Sequence, residues 1–391
     1  MKALTWWGTG DVRVEDVADP AIEDPTDAII RVTSSAICGS DLHLYDVLGP
    51  FLKRGDILGH EAMGIVEQIG SEVSSLTVGD RVVIPFVIAC GTCFMCRRGL
   101  TTQCETTQVR QLGSGAALYG YTELYGSVPG GQAQRMRVRF ADFNAYPVGG
   151  ELPDERYLFL SDILPTAWQG VQYADLPPDG VLGVVGLGPV GQFASRIGRH
   201  LGHRVIAIEP IQERRDMAER HGIETLDLTD DVVDRMREMT EGRGPASVVD
   251  AVGMEAYGNP VVGFTQAAVG LLPDRAAQRI MMTAGVDKLA ALQLAIECVS
   301  RGGTVSLSGV YGGNADPLPL MTMFDRRLTV RMGQCNVQSW RDTLLPLVED
   351  PDDPLGVDDL VTHRASLENA PQMYEMFKKK ADGCIKVVLT P

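Results

Sequence analysis

The feature that most constrains the fold is a glycine-rich hexapeptide between an apolar run and a helical pattern. The hexapeptide Gly186-Leu187-Gly188-Pro189-Val190-Gly191 follows VLGVV and precedes QFASRIGRHLG, whose apolar residues recur at helical spacing. The first glycine would allow a tight turn, the second would let the backbone approach a pyrophosphate, and the third would let the helix pack closely. The N-terminus of that helix would offer free N–H groups to the phosphates. This context predicts a dinucleotide-binding βαβ unit, in preference to a plain turn between strand and helix.

A carboxylate further along indicates which dinucleotide is bound. The next apolar run, RVIAIE, ends in Glu209, about 20 residues beyond the first glycine, the spacing expected for an acceptor of the ribose 2′-hydroxyl. A 2′-phosphate would meet like charge there, so Glu209 favours NAD over NADP. Arg214 and Arg215 follow closely and keep NADP open as the alternative.

Strand and helix patterns alternate beyond Gly180. A helical stretch through ERRDMAERHG follows the second run, and further strand patterns occupy residues 246–251 and 304–309. This alternation predicts a parallel, doubly wound sheet. Residues 253–286 are too long for the connection they would make, so we expect an insertion with helical content.

The first half of the chain has a different pattern. Short apolar runs at 28–37, 63–70 and 80–88 are broken by Gly, Pro or Asp, which predicts an antiparallel or mixed barrel-like β domain. Residues 105–131 show no period and are expected to form a long loop. A chain of 391 residues exceeds a usual single core, so two domains are expected. The last apolar run, IKVVLTP, lies beyond the doubly wound unit and would return to the first domain.

Charge and hydropathy narrow the class of partner. Lys and Arg number 35 against 51 Asp and Glu, and the resulting charge of −16 disfavours nucleic acid and anionic membranes as partners. No apolar run approaches the roughly 18 residues that cross a bilayer. The start, MKALTWWGTGDVRVED, lacks the features of a secretion signal. We therefore expect a globular, cytoplasmic protein with no nucleic-acid or membrane partner.

Four of the eight cysteines crowd into one short segment. Cys90, Cys93, Cys96 and Cys104 supply four soft ligands, the donor set of a closed, tetrahedral structural zinc site. In a reducing compartment a metal is favoured over free or disulfide-paired thiols. An iron–sulfur cluster is the alternative occupant, but nothing else in the chain requires one-electron chemistry.

A second donor set is spread over two segments of the β-rich half. Cys38-Gly39-Ser40-Asp41-Leu42-His43 and Gly59-His60-Glu61 supply a thiol, two imidazoles and two carboxylates. An open zinc site needs about three protein ligands, and Cys38 and His60 are candidates. Taken alone, these residues fit either an open zinc site or ordinary buried side chains without a metal, because a lone Cys is often a small buried hydrophobe.

Together these motifs, in this order, resemble the zinc-dependent medium-chain alcohol dehydrogenases along essentially the whole chain. Three segments resemble the glutathione-independent formaldehyde dehydrogenase branch: the loop running through Gly120-Tyr121 to Gly130-Gly131-Gln132, the segment SDILPT at 161–166, and the insertion after DAVG at 250–253. The resemblance implies a GroES-like catalytic domain beside a Rossmann domain, and a cytoplasmic, zinc-containing, NAD-linked oxidoreductase.

The resemblance also implies roles around the catalytic zinc. Cys38, His60 and Asp162 match the zinc ligands of that branch, although many family members have Cys in the third place. Glu61 matches a carboxylate that approaches the zinc when ligands exchange. Asp41 matches a carboxylate that would orient His60 and raise its basicity.

Further roles follow from the same resemblance. Ser40 matches the hydroxyl that contacts the substrate oxygen, and His43 matches the downstream end of its proton relay. Thr166 and Arg214 match positions that contact the cofactor. The strand near 328–332 matches the sheet edge through which these proteins form dimers, and an unpaired edge is a physical reason for such pairing.

The expected organisation is a catalytic domain over 1–163 and 335–391 and an NAD-binding domain over 164–334. The expected reaction is hydride transfer from an alcohol or hydrated aldehyde to NAD, in a homo-oligomer with two zinc ions per chain. Three alternatives stay open: a secondary-alcohol or polyol dehydrogenase of the same family, a zinc-free quinone-type reductase, and a non-enzymatic, zinc-stabilised NAD-binding protein. The intact donor set and the Ser40–His43 relay argue against the last two.

Overall fold

The computed structural model describes residues 1–253, 289–311 and 318–391, which form two compact units. The first unit comprises Met1–Pro165, Cys335–Asp353 and Val357–Pro391, and the second comprises Thr166–Gln334 and Pro354–Gly356. Apart from Gly253, the insertion predicted over 253–286 lies outside the described residues.

Nine of the fifteen strands in the described residues lie in the first unit, and the other six alternate with helices in the second. The strands of the described residues are β1 (Lys2–Gly8), β2 (Asp11–Asp16), β3 (Ala28–Ile37), β4 (Ala62–Ile69), β5 (Arg81–Ile84), β6 (Arg135–Val138), β7 (Tyr146–Pro147), β8 (Val181–Val185), β9 (Arg204–Ile208), β10 (Glu224–Leu226), β11 (Ser247–Asp250), β12 (Thr304–Leu307), β13 (Thr329–Met332), β14 (His363–Ser366) and β15 (Val387–Thr390).

Most helices before residue 160 are short, whereas several later ones reach nine residues or more. The α-helices of the described residues are α1 (Gly39–Asp46), α2 (Phe94–Arg97), α3 (Ala141–Asn144), α4 (Asp154–Leu158), α5 (Ile163–Ala174), α6 (Pro189–His200), α7 (Gln212–Arg220), α8 (Val232–Glu238), α9 (Ala290–Cys298), α10 (Leu320–Asp325), α11 (Arg341–Glu349) and α12 (Ala370–Lys379).

The first unit contains a mixed seven-stranded sheet, which confirms the predicted β-rich fold class. Its strand order is β14-β15-β3-β4-β5-β7, with β6 also paired to β3, and β1 and β2 form a separate antiparallel pair. Neighbours in the large sheet are antiparallel except β14 and β15. β3 is buried almost throughout because three strands pair with it. The last strand, β15, pairs antiparallel with β3, so the end of the chain lies beside one of the first strands.

The second unit contains a six-stranded sheet in the order β10-β9-β8-β11-β12-β13, and every neighbouring pair is parallel. Numbered from β8 this is the order 3-2-1-4-5-6, the arrangement of doubly wound nucleotide-binding sheets. The predicted Rossmann class is therefore confirmed. Val185, Ile208, Asp250 and Leu307 are in register, so the carboxyl ends of four strands share one edge.

Apolar side chains on the sheet and on its covering helices form the core of the second unit. Ile206, Val248 and Val305 on the strands pack with Met236 of α8 and Ile296 of α9, all essentially buried. Such packing of helices on a parallel sheet is what the continuous apolar runs predicted. Throughout the ranges described, no helix has both the length and the apolar character needed to cross a membrane.

Candidate active site and metal centres

One candidate metal centre forms where neighbouring strands of the first unit end. Cys38 directly follows β3, and His60 and Glu61 directly precede β4, which runs antiparallel to β3. Antiparallel pairing places the end of one strand beside the start of the next, so these side chains converge. Asp162, which follows the short 3₁₀ helix Phe159–Ser161, joins them from a distant part of the sequence.

The donor atoms of this cluster are close enough to share one ion. Ligand atoms of Cys38, His60, Glu61 and Asp162 all lie within 4.8 Å of one another. Asp162 Oδ2 is 3.5 Å from Cys38 Sγ and 3.3 Å from His60 Nε2. Thiolate sulfur, imidazole nitrogen and carboxylate oxygen are the ligands that zinc takes in proteins. All four residues are buried, so water competes little for these donors.

Asp41 supports the cluster from the far side of the imidazole. Its Oδ1 lies 3.0 Å from His60 Nδ1, and its Oδ2 accepts a 2.9 Å hydrogen bond from the Cys38 backbone N–H. A carboxylate at Nδ1 favours the tautomer whose Nε2 lone pair faces the other donors. One fully buried side chain thus holds both the imidazole ring and the start of α1 in place.

The charges in the cluster fit a divalent cation. Burial, with the nearby carboxylates of Asp162 and Glu61, raises the pKa of the Cys38 thiol to about 11. Burial alone would lower the pKa of His60, but Asp41 and Asp162 hold it well above its usual value. These shifts arise because negative groups crowd into a space with little water, and a bound cation would relieve that crowding.

A buried lysine that the sequence analysis did not single out balances Glu61. Lys386 immediately precedes β15, and the pairing of β15 with β3 brings its side chain to the same strand ends. Its Nζ donates to Glu61 Oε1 at 2.7 Å and to the Ile37 carbonyl at 3.1 Å. Burial would lower the pKa of Lys386, but the Glu61 carboxylate raises it, so the ammonium form is retained. In the sequence, Lys386 is a single charge within an apolar run, and only the strand pairing identifies its partner.

Two further buried residues, to which the sequence alone assigns no role, support Asp41. Gln132 Nε2 lies 3.3 Å from Asp41 Oδ2, and Gln132 Oε1 accepts a 2.8 Å hydrogen bond from the Tyr374 hydroxyl. Gly59, with φ +96°, leaves space for this glutamine, because a Cβ there would come within 2.4 Å of Gln132 Cγ. The glycine before His60 is therefore required both by its backbone angle and by its neighbour.

The predicted proton-relay residues both lie on α1. Ser40 is half-buried, and its Oγ is 3.1 Å from His60 Nε2, at the edge of the donor cluster. His43 is three residues further along, which places it on the same side of the helix, and it is buried. Aromatic rings flank the imidazole: the centroids of Phe86 and Tyr121 lie 6.3 and 6.2 Å from that of His60, both edge-on.

The second candidate metal centre is the four-cysteine lobe. The Sγ atoms of Cys90, Cys93, Cys96 and Cys104 lie within 4.8 Å of one another, and none forms a disulfide. Cys93 Sγ is 4.0 Å from Cys104 Sγ, close to the roughly 3.8 Å that a tetrahedron of 2.3 Å Zn–S bonds requires. This geometry and the four soft donors fit zinc.

Hydrogen bonds to sulfur prepare the lobe for thiolates. The backbone N–H groups of Cys93 and Cys96 donate to Cys90 Sγ and Cys93 Sγ at 3.4 and 3.5 Å, and the Thr106 hydroxyl donates to Cys90 Sγ at 3.2 Å. Burial would raise the pKa of Cys90, but hydrogen bonds from Thr106, Thr92 and the Cys93 N–H lower it to about 6. A thiolate is the form that binds a metal, so the fold favours the ligand state at Cys90 and Cys93, whereas burial and the neighbouring sulfurs raise the pKa of Cys96.

The glycine turn of the second unit has the shape of a dinucleotide cradle. Gly186 has φ +87°, and a Cβ on Gly191 would come within 1.9 Å of the Gly186 carbonyl oxygen, so neither position accepts a side chain. At Gly188, which caps α6, the nearest atom to such a Cβ is Arg214 Nη1 at 3.8 Å. The backbone is thus open at the one glycine where a pyrophosphate would approach, and the residues fit the predicted cofactor.

Glu209 follows β9, and its carboxylate is hydrogen-bonded to the backbone of the glycine turn. Its Oε2 accepts a 2.7 Å hydrogen bond from the Leu187 N–H, and its Oε1 accepts one of 3.0 Å from the Ile211 N–H. Arg214 Nη1 lies 3.8 Å from Glu209 Oε2, so the guanidinium beside the turn is already engaged by an acid. Thr166 is half-buried on α5, at the first position of the second unit.

Comparison with known proteins assigns both units. A family described as alcohol dehydrogenase GroES-like domain matches residues 24–147, and a family described as zinc-binding dehydrogenase matches residues 189–268. With two zinc-compatible donor clusters and a dinucleotide cradle, these matches define a class: zinc-binding oxidoreductases that use a nicotinamide cofactor and act on small molecules.

Full-length relatives narrow the class to a family. The chain is 38% identical over 397 residues, covering all of both chains, to the uncharacterized zinc-type alcohol dehydrogenase-like protein AdhB of Bacillus subtilis (strain 168). It is similar to the alcohol dehydrogenase TADH of Thermus sp. ATN1, with a TM-score of 0.82, 35% identity, and coverage of 100% of this chain and 99% of that one. A glutathione-independent formaldehyde dehydrogenase of Pseudomonas aeruginosa (strain LESB58) is 34% identical over 285 residues, 68% of this chain and 69% of the relative. The chain belongs to the zinc-type, medium-chain alcohol dehydrogenase family, and its expected resemblance is confirmed.

Proposed function

We propose that this protein oxidises an alcohol or a hydrated aldehyde, of the kind formaldehyde forms in water, by transferring hydride to NAD, with two zinc ions bound per chain. The observation that supports this proposal most directly is the convergence of Cys38, His60 and Asp162 beside the Ser40 hydroxyl. Three zinc ligands of mixed type next to a proton acceptor are the requirements of an open, catalytic site, whereas four thiolates make a closed one.

In the proposed site, Cys38, His60 and Asp162 would hold the catalytic zinc. A zinc ion in an open site supplies Lewis-acid activation, which lowers the pKa of an oxygen that it binds. Asp41 keeps the His60 ring oriented, and Ser40 accepts the proton of the substrate hydroxyl and passes it toward His43. Phe86 and Tyr121 limit the access of water to His60, which strengthens every charge interaction near it.

The nucleotide cradle of the second unit supports NAD as the hydride acceptor. The chemistry of hydride acceptance belongs to the nicotinamide, and the protein supplies binding and orientation. We assign the pyrophosphate to the open backbone at Gly188, the ribose hydroxyls to Glu209, and further cofactor contacts to Arg214 and Thr166. A 2′-phosphate would have to displace the Glu209 carboxylate from the Leu187 and Ile211 N–H groups or lie against its charge.

Glu209→Gln tests the cofactor assignment. The amide keeps one acceptor oxygen for the turn but loses the charge, so KM for NAD should rise about tenfold, as expected for a lost charge-assisted hydrogen bond. KM for NADP should fall or stay unchanged, because the repulsion is removed. Steady-state kinetics with both cofactors measures the ratio, and an equal rise for NAD and NADP would contradict the ribose assignment.

The substrate class is tested by NADH formation from zinc-loaded protein. Formaldehyde, short primary alcohols, secondary alcohols and polyols are compared at matched concentrations, with and without a chelator. The formaldehyde dehydrogenase relative supports an aldehyde hydrate as the substrate. Preferential turnover of secondary alcohols or polyols would instead favour the second candidate, a secondary-alcohol or polyol dehydrogenase of this family.

The proton relay is tested separately with Ser40→Ala, which should lower kcat about 100-fold, the usual scale of a lost acid–base group. Ser339→Ala, at an exposed serine, is the matched control. Wild-type turnover by Ser40→Ala would refute the relay.

We also propose that β13 pairs with a second copy of the chain. All four residues of β13 are exposed, and the strand is last in the sheet order of the described residues. Val330 and Met332 add apolar surface to this edge. Val330→Pro should convert a dimer or tetramer to smaller species in analytical ultracentrifugation, because proline removes a donor from the edge.

A further inference from the structure

We propose that Lys386 is a positioning residue that holds the Glu61 carboxylate off the catalytic metal and so keeps one coordination position free for substrate. This inference rests on the proposed catalytic zinc site. It assigns a role to a residue that neither the donor pattern nor the family resemblance singled out.

The inference starts from a surplus of ligands. Four donor atoms, from Cys38, His60, Glu61 and Asp162, lie within 4.8 Å of one another, as the four sulfurs of the cysteine lobe also do. A tetrahedral ion that took all four donors would be closed, whereas the proposed chemistry needs a position for substrate. Some other contact must therefore compete with the metal for one donor, and Glu61 is the donor with a strong competitor.

That competitor is the Lys386 ammonium group. It donates to Glu61 Oε1 at 2.7 Å, and neither side chain has any exposed surface. A charge-assisted hydrogen bond in such a dry environment is strong, because no water replaces it and the local dielectric is low. Within the described part of the chain, Glu61 Oε2 accepts no hydrogen bond, so one oxygen is anchored by Lys386 and the other is uncommitted.

Counting charges explains why a lysine is needed here. The thiolate of Cys38 and the carboxylate of Asp162 together balance the two positive charges of zinc, with His60 neutral. Glu61 and the equally buried Asp41 then leave two negative charges, and Lys386 cancels the one on Glu61, to which it is directly bonded. Without the ammonium group, a fully buried carboxylate would lack a counter-ion, and binding the metal would be its nearest route to compensation.

The position of Lys386 is fixed by its surroundings. Its backbone carbonyl accepts hydrogen bonds from the Thr362 and His363 N–H groups, both at 3.1 Å, and its Nζ also donates to the Ile37 carbonyl at 3.1 Å. Nζ lies 5.7 Å from the centroid of the Phe159 ring, which closes another side of the ammonium group. An ammonium group restrained in this way sets the position of the carboxylate that it binds.

The test uses protein in which the catalytic ion is cobalt and the lobe retains zinc, with metal analysis to verify the loading. Imidazole is the probe, because it binds at an open coordination position and changes the visible spectrum of the cobalt. In Lys386→Met, Glu61 should occupy that position, so the spectrum of the free protein should change and imidazole should bind about tenfold more weakly, on the scale of other lost outer contacts of metal sites. Lys386→Arg, which keeps the charge, should restore the wild-type spectrum.

A double-mutant comparison decides whether Lys386 acts through Glu61. In a Glu61→Gln background, Lys386→Met should leave imidazole affinity unchanged, because the restrained charge is gone. Equal weakening in both backgrounds, or an unaltered spectrum and affinity in Lys386→Met alone, would overturn the inference. If Lys386→Met does not fold, Lys386→Gln, which keeps a neutral donor for Glu61, takes its place.

Failure of the proposed function would give a different result. Wild-type protein that binds no cobalt outside the lobe, or whose cobalt spectrum does not respond to imidazole, would remove the open metal site itself. A wild-type protein that responds, together with a Lys386→Met variant that responds identically, would remove only the role of Lys386.

Discussion

The two candidate metal centres of the first unit are built in opposite ways. The lobe takes all four donors from Cys90 to Cys104, a stretch of fifteen positions, and its sulfurs accept hydrogen bonds from that stretch and from Thr106 just beyond it. The other centre collects Cys38 and His60 from neighbouring strand ends and Asp162 from the end of a 3₁₀ helix, and adds buried charges around them.

This contrast relates the origin of the donors in the chain to whether the metal centre can bind substrate. A site whose donors are close in sequence needs only a loop of suitable length. Its four thiolates fill all four coordination positions of the ion, so none is open to substrate. A centre assembled from distant parts of the chain depends on the fold of the whole unit, but that fold can place other groups beside it, as it does with Asp41 on α1 and Lys386 before β15. Variants in the two centres should therefore fail in different ways, one by losing catalysis and the other by losing stability.

Cys38→Ser should show the largest effect. Loss of the thiolate removes Lewis-acid activation worth several kcal/mol, so kcat/KM should fall about 1000-fold or more. The circular dichroism spectrum should stay that of the wild type, because the remaining donors are held by the sheet. Cys298→Ser, at a buried cysteine in neither cluster, is the control and should retain turnover. A comparable loss of kcat/KM in Cys38→Ser and Cys298→Ser would show that Cys38 has no special role in catalysis.

Cys93→Ser should act mainly on stability. One lobe thiolate is lost, so the zinc content should fall toward one ion per chain and the free energy of unfolding should drop by about 3 kcal/mol, in the range typical of a lost metal. Residual kcat at low temperature should stay within severalfold of the wild type. Thermal unfolding with parallel metal analysis measures both quantities. A turnover-dead but stable Cys93→Ser protein would show that the two centres had been exchanged.

Asp41→Asn tests the buried support of the open centre. The amide no longer carries a charge to favour the correct His60 tautomer, so affinity for the catalytic metal should fall about 10- to 100-fold. Competition with a metal-binding dye measures this change. Asp142→Asn, at a surface carboxylate bonded to Ser74 and Ser75, should leave the affinity unchanged. Equal affinity for the catalytic metal in Asp41→Asn and Asp142→Asn would show that Asp41 does not support the metal centre.

Thr106→Ala should have the smallest effect and should be visible only through pH. The Thr106 hydroxyl helps to hold the pKa of Cys90 at about 6, below its ordinary value. The stability gained from this thiolate is complete above the unfolded pKa of about 8.5 and is lost as pH falls through about 6. Removing the hydroxyl raises the pKa of Cys90, so zinc release should begin at a higher pH, by a few tenths of a unit for this exposed bond. An unshifted pH profile of zinc release would remove Thr106 from the lobe.

Local signals in the sequence predicted one kind of feature well. The lobe spacing, the glycine hexapeptide and the alternation around β8 and β9 each lie within a short window. The structure brings the four sulfurs together and places a strand, a turn and a helix around the hexapeptide. The predicted long loop over 105–131, which the structure describes throughout, contains two 3₁₀ turns, at Arg110–Leu112 and Glu123–Tyr125, and isolated β-bridges at residues 118, 119 and 128, but no α-helix or longer strand. These features depend on backbone rules that act over a few residues.

Features that depend on strand pairing could not be predicted in the same way. Asp162 was assigned by resemblance, since nothing in its own neighbourhood indicates a ligand. Lys386 and Gln132 were missed because each is a single polar residue whose partner lies far away in the chain. Only the register of β15 against β3, and the space left by Gly59, show why these side chains are buried where they are.

The ion pair between Glu61 and Lys386 joins residues 325 positions apart, which has a consequence for the order of assembly. Contacts of such long range form late, and chains fold from the N-terminal side as they are synthesised. A nascent chain would therefore expose four donors, with Glu61 unrestrained, long before Lys386 emerges. The immature centre would capture metal with all four ligands, and the arrival of the last strand would then open it to substrate. Refolding experiments that add zinc before or after β15 pairs with β3 would detect this as faster metal uptake by the earlier state.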